Sequence, residues 1–195
     1  MSADFDYQFN IFKNIAVTTN TEWQLYKEFR DTKCLELFAS TGRGFYYMIE
    51  EVLMKSVVVG LGGLFDPAGK GTRLNLSAFR ILEQPEVACI KPDLESILNP
   101  LFKQWEDGAG KWRNKLLAHC DLDVLTQKVD YPDFVLRDIE DITDGIWKFV
   151  GRIDSERYNA NFSKVVSIQE GLPHIMRYLQ LGLNVQRAGR APEFS

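Results

Sequence analysis

The apolar positions along this chain are spaced for helices. Val135, Ile139, Ile142, Ile146, Phe149 and Ile153 fall alternately four and three residues apart after Pro132, which puts them on one face of a long amphipathic helix. Val165, Ile168, Leu172, Ile175 and Leu179 keep the same rhythm. Phe45, Ile49, Val52, Ser56 and Val59 give a third helix, starting near Gly42 to Gly44. Leu25, Phe29 and the cluster from Leu35 to Phe38 predict another before it, ending at Ser40-Thr41-Gly42. The run Ser56-Val57-Val58-Val59-Gly60 has the β-branched content of a short buried strand. The helical period continues through it, however, and no second run of equal strength exists to pair with it, so it reads as helix.

Breakers divide these helices. Asp66-Pro67-Ala68-Gly69-Lys70-Gly71, Lys91-Pro92-Asp93 and Asp130-Tyr131-Pro132-Asp133 read as loops, with a weaker break at Asp107-Gly108. Asn75-Leu76-Ser77 begins a short helix reaching to about Glu83, in which Asn75 or Ser77 caps the free amides. The expected architecture is an all-α bundle of about six or seven helices. A length of 195 residues suits one domain over 1–195, with a core over roughly 20–185 and a frayed tail at 188–195.

Composition narrows the function classes. Hydrophobic residues at 45% with 12% aromatics exclude a disordered chain. With 23 basic against 27 acidic residues the net charge is −4, so no bulk field draws the protein to nucleic acid or an anionic membrane, and any such binding needs a local patch. Cys34, Cys89 and Cys120 form no C-x-x-C pair, and with only His119 and His174 beside them neither a disulfide framework nor a metal site is expected. No cofactor is expected. The acidic start Met-Ser-Ala-Asp-Phe-Asp lacks the form of an export signal, and the apolar stretch from Val52 to Phe65 is too short for a bilayer and carries Lys55. A soluble cytoplasmic protein with no membrane partner is the expectation.

The densest set of reactive groups is Lys111-Trp112-Arg113-Asn114-Lys115-Leu116-Leu117-Ala118-His119-Cys120-Asp121. On a helical wheel with Trp112 at zero, Leu116 lies near 40°, Cys120 near 80°, Arg113 near 100° and His119 near 340°, at about 100° per residue. Arg113 and His119 then edge one apolar stripe, about 120° apart around the axis and about 9 Å apart along it. Two copies of the helix packed across a dyad bring the arginine of one protomer to the histidine of the other. Such a cleft suits metal-free RNA cleavage. Imidazole shuttles the proton of an attacking ribose 2′-hydroxyl, guanidinium holds the phosphate, and Asn114 orients its neighbour. The alternative from the same residues is structural: His119 as a core imidazole and Arg113 as an ion-pair donor.

Lys111, Lys115 and Lys103 are candidates for a local phosphate-binding patch, or simply a solvated face. Asp121 and Asp123 either fix the His119 tautomer or solvate a helix end. Cys120 beside His119 reads as a packed thiol, and His174 after Pro173 as structural. Gly60-Leu61-Gly62-Gly63 fits neither a dinucleotide fingerprint nor a phosphate loop, and reads as small residues for close helix packing or as a helix end.

Arg113-Asn114-x-x-x-x-His119 resembles the signature of the HEPN (higher eukaryotes and prokaryotes nucleotide-binding) superfamily. The context Trp112 to Asp121 is similar to the arginine, lysine, Ala-His, Asp core of the AbiU-type abortive-infection HEPN family. Leu64-Phe65-Asp66-Pro67 and Leu74-Asn75-Leu76-Ser77 resemble that family's Asp-Pro loop and Asn-Leu-Ser helix start. The resemblance runs in order over roughly residues 20–185. It implies an all-α HEPN bundle, a homodimer with the motif at its interface, and metal-independent ribonuclease activity used as a toxin or phage-defence effector, with an antitoxin or other defence partner. Two positions depart from the pattern: Asn114, where close relatives often carry Asp, and Gly62-Gly63, where they often carry a basic residue. The reading from a different class is a catalytically silent HEPN-like interaction or nucleotide-binding module of a defence system.

Overall fold

The computed structural model describes residues 3–31, 35–38, 43–71, 73–114 and 135–159. The described chain is an all-α bundle. Helix α1 spans Ala3–Phe29, α2 Arg43–Phe65, α3 Ala78–Leu82, α4 Lys91–Asp107, α5 Ala109–Trp112 and α6 Leu136–Tyr158, with a 3-10 helix over Pro85–Ile90. The exception is a two-stranded antiparallel hairpin, β1 (Gly69–Lys70) with β2 (Arg73–Leu74), in which Gly69 faces Leu74 and Lys70 faces Arg73. Gly71, at φ 61°, supplies the left-handed turn residue that a tight hairpin needs.

The chain divides into two compact units, one over Met1–Asn20 and Lys55–Val165, the other over Thr21–Met54 and Val166–Ser195. In the first, α6 lies between two antiparallel neighbours. Its Phe149 meets Phe12 of α1 edge-on at 5.9 Å, and its Tyr158 hydroxyl donates to Asp6 at 2.7 Å. Toward α4, Gln104 donates to Asp138 at 2.8 Å and Arg152 donates to Asp93 at 3.1 Å. Ile139, Ile142, Ile146, Phe149 and Ile153 are all buried, as their spacing predicts, so the helix is held by its apolar stripe. In the second unit Phe29, Phe38 and Tyr46 form a cluster with Leu25, Ile49 and Leu53 packed on it.

Several expectations are met and several are corrected. The β-branched run 56–60 is helical inside α2, and Ser77 caps α3 by accepting from the Arg80 N–H at 3.4 Å. Asn75 does a different job, donating to the Pro67 carbonyl at 2.8 Å and so closing the base of the hairpin. Lys91-Pro92-Asp93 is no loop. It is the first turn of α4, where a proline loses no helical hydrogen bond. The first helix begins at Ala3, not near Leu25, and buries Phe5, Phe9, Phe12 and Ala16. It closes at Phe29, where the Arg30 N–H bonds the Tyr26 and Lys27 carbonyls, and residues 35–38 are helical again. The expected helix over 165–179, the break at 130–133 and the tail at 188–195 lie outside the described residues.

Candidate functional site

The site begins with a corner in the backbone. Helix α4 stops at Asp107, and the Gly108 N–H reaches back to the carbonyls of Gln104 at 3.2 Å and Trp105 at 3.3 Å. The chain resumes as the four-residue α5. Gly110 backs onto Trp105 so closely that a Cβ there would stand 2.8 Å from the Trp105 carbonyl oxygen and 2.9 Å from the indole Nε1. Trp105 stacks in turn on Phe65, the last residue of α2, with ring centroids 5.8 Å apart. Both rings are buried. Stacking of this kind ties the end of α2 to the corner. Asp66 follows Phe65 and Arg113 follows α5, so the two are delivered to one place.

There the Arg113 Nη1 stands 3.3 Å from Asp66 Oδ1 and donates to Asn114 Oδ1 at 3.4 Å. The arginine stem lies across Gly62, one helical turn before Asp66. A Cβ on Gly62 would overlap the Arg113 Nε and stand 2.6 Å from Cδ and 2.8 Å from Cζ. Only a bare backbone leaves room for the side chain in this position. The side chains of Arg113 and Asp66 are 27% and 34% exposed, and an ion pair so placed contributes about 1 kcal/mol or less. Both contacts fall on Nη1, and among the described residues no group bonds Nε or Nη2, which leaves one of the two planar edges a guanidinium offers to an anion.

Of the residues singled out from the sequence, Arg113 and Asn114 are brought together. The wheel drawn for them needs correction. Trp112 ends the α-helical path, and Arg113 and Asn114 continue in a wider, π-helical turn, so a constant 100° step does not pass through them. Lys111 is exposed and pairs with Asp107 at 3.8 Å, and Lys103 is exposed on α4. Lys115, His119, Cys120, Asp121, Asp123 and His174 lie outside the described residues. The structural alternative for Arg113, an ion-pair donor, is met at Asp66.

The glycine run resolves position by position. Gly60 receives Thr19, Gly62 receives Arg113, and a Cβ on Gly63 would meet nothing within 4 Å. Asp66 and Gly62 are the residues that spacing missed, because their partner lies far along the chain and only a through-space pairing signal would reveal it. Among the described residues no group of three or more His, Cys, Asp and Glu side chains is arranged to hold a metal ion, and no helix is long and apolar enough to cross a membrane.

A family model described as AbiU2, within the HEPN group, matches residues 3–165. Comparison with curated proteins and with solved structures finds no match.

Proposed function

Since the chain belongs to the AbiU2 HEPN family, we propose that it is a metal-independent endoribonuclease acting as a toxin or phage-defence effector, with Arg113, Asn114 and His119 as its catalytic set at a homodimer interface. The observation that supports this most is the Arg113 guanidinium, partly exposed and held through one nitrogen with its Nε and Nη2 edge unbonded among the described residues. In the reaction the ribose 2′-oxygen bonds to the adjacent phosphorus as the bond to the 5′-oxygen breaks. His119 accepts the 2′-hydroxyl proton and later releases it to solvent, the leaving 5′-oxygen takes up a proton from water, and Arg113 stabilises the charge growing on the non-bridging oxygens. Asn114 steadies Arg113 through Nη1. Lys111 and Lys115 supply outer phosphate contacts, and Asp121 sets the His119 tautomer.

The net charge of −4 and the carboxylate already on Arg113 favour a second reading, a catalytically silent binding module of a defence system. One experiment separates the two. Purified wild type, Arg113→Ala, His119→Ala and an equal mixture of the two variants, exchanged so that protomers re-pair, are incubated with total RNA in chelator. Wild type is expected to cleave, and each variant to lose at least about 100-fold. The mixture is expected to regain about a quarter of wild-type activity, because half its dimers carry one intact composite site of two. Intact RNA with wild type selects the silent module, and a dead mixture removes the shared interface.

A further inference from the structure

We propose that Asp66 and the bare backbone at Gly62 together are a positioning cradle for Arg113, which fixes the guanidinium with its Nε and Nη2 edge turned to a phosphodiester. The inference rests on the ribonuclease reading and adds two residues to it that do not touch the RNA.

Three observations carry it. The stem lies flat against the Gly62 backbone, so close that a Cβ there would displace its Nε, Cδ and Cζ. The head is engaged at one nitrogen: Nη1 forms an ion pair with Asp66 Oδ1 at 3.3 Å and donates to Asn114 Oδ1 at 3.4 Å. The two parts of the cradle are locked to each other, because Gly62 and Asp66 lie one turn apart at the end of α2 and Phe65 between them is pinned by its stack on Trp105. A long, flexible arginine loses rotamer freedom on engaging an anion, and a side chain already confined has less to lose. Asp66 takes Nη1 and leaves the side-on pair of donors, whose spacing matches two oxygens of one phosphate.

Two other roles for Asp66 predict different results. A purely structural ion pair would alter thermal stability and leave kinetics unchanged. A counter-ion that competes with substrate would, on neutralisation, raise RNA affinity and activity, since a negative charge leaves the site. A positioning carboxylate predicts that kcat falls although the site has become more positive.

The test compares wild type with Asp66→Asn, Asp66→Glu, Gly62→Ala and Gly63→Ala, using a short RNA oligonucleotide and steady-state kinetics in chelator. Misplacing a clamping group by about 1 Å costs about 100-fold. Asp66→Asn and Gly62→Ala are therefore expected to lower kcat about 10- to 100-fold with KM within about threefold. Asp66→Glu is expected to recover part of the loss, and Gly63→Ala to match wild type, which controls for adding a methyl group to the same turn. Unchanged or increased kcat in Asp66→Asn overturns the cradle while the ribonuclease reading stands. Should wild type itself leave the oligonucleotide intact, that reading fails and the cradle is judged by the Arg113 side-chain Nε–H signal in 15N relaxation. A rigid signal in wild type that becomes mobile in Asp66→Asn upholds the cradle, and equal mobility in both overturns it.

Discussion

Thr19 of α1 sits directly on the backbone of Gly60 in α2: a Cβ on that glycine would overlap the threonine Oγ1 and stand 3.2 Å from its Cβ. Thr19 is 2% exposed, so it has nowhere to turn. Three residues further along the same helix, a Cβ on Gly63 meets nothing. Gly60→Ala is expected to destabilise the protein by about 1–3 kcal/mol through overpacking. Gly63→Ala is expected to be neutral or stabilising by up to about 1 kcal/mol, because alanine is the better helix former. Urea unfolding of the two variants checks the contrast, and an equal loss in both would contradict the packing described.

Lys13 reaches Asp154 across the α1–α6 interface, Nζ to Oδ1 at 3.2 Å, and Asp154 is 3% exposed. A carboxylate so enclosed depends on its partner. Lys13→Met is expected to cost about 2–3 kcal/mol, toward the low end for a broken buried pair because the lysine keeps some solvent contact. Adding Asp154→Leu removes the stranded charge and is expected to restore most of the loss. Chemical denaturation of the single and double variants, read as a mutant cycle, is the measurement.

Partial desolvation, followed by the hydrogen bond to Asp6, raises the Tyr158 phenol above its ordinary value of 10.0. A proton held more tightly in the folded chain than in the unfolded one gives a stabilisation that is complete below pH 10.0 and lost as pH rises through the folded value. Thermal stability of wild type is therefore expected to decline more steeply above that pH than that of Tyr158→Phe. At neutral pH the variant is expected to be weaker by about 1 kcal/mol, for the lost hydrogen bond. Parallel melting curves at every pH would show that Tyr158 does not carry this dependence.

Legibility in the sequence followed the length and continuity of each apolar stripe. Ile139 to Ile153 announce α6 because the five positions of its repeat, Ile139, Ile142, Ile146, Phe149 and Ile153, are all branched or aromatic hydrocarbons and all buried. Phe5, Phe9, Phe12 and Ala16 carry the same period in α1, but the stripe continues through Thr19 and Asn20, polar residues that the fold buries at 2% exposure each. That interruption hid the first half of the helix. Pro92 was ambiguous for a different reason, since proline suits a loop and a first helical turn equally well. The hairpin strands, at two residues each, are too short to show any period. At the site, the pairing of Arg113 with Asn114 was visible from adjacency and motif spacing. The roles of Asp66 and Gly62 depend on two segments distant in sequence meeting in space, and so does the wider turn at 113–114, which no residue type there dictates.

A helix of four residues such as α5 makes too few internal hydrogen bonds to persist by itself in water. Its direction is inherited from the indole of Trp105 and the two glycines around it, Gly108 and Gly110. Substitution at a handful of corner positions can thus re-aim the Arg113 side chain without disturbing the helices behind it, while the rest of the chain remains folded.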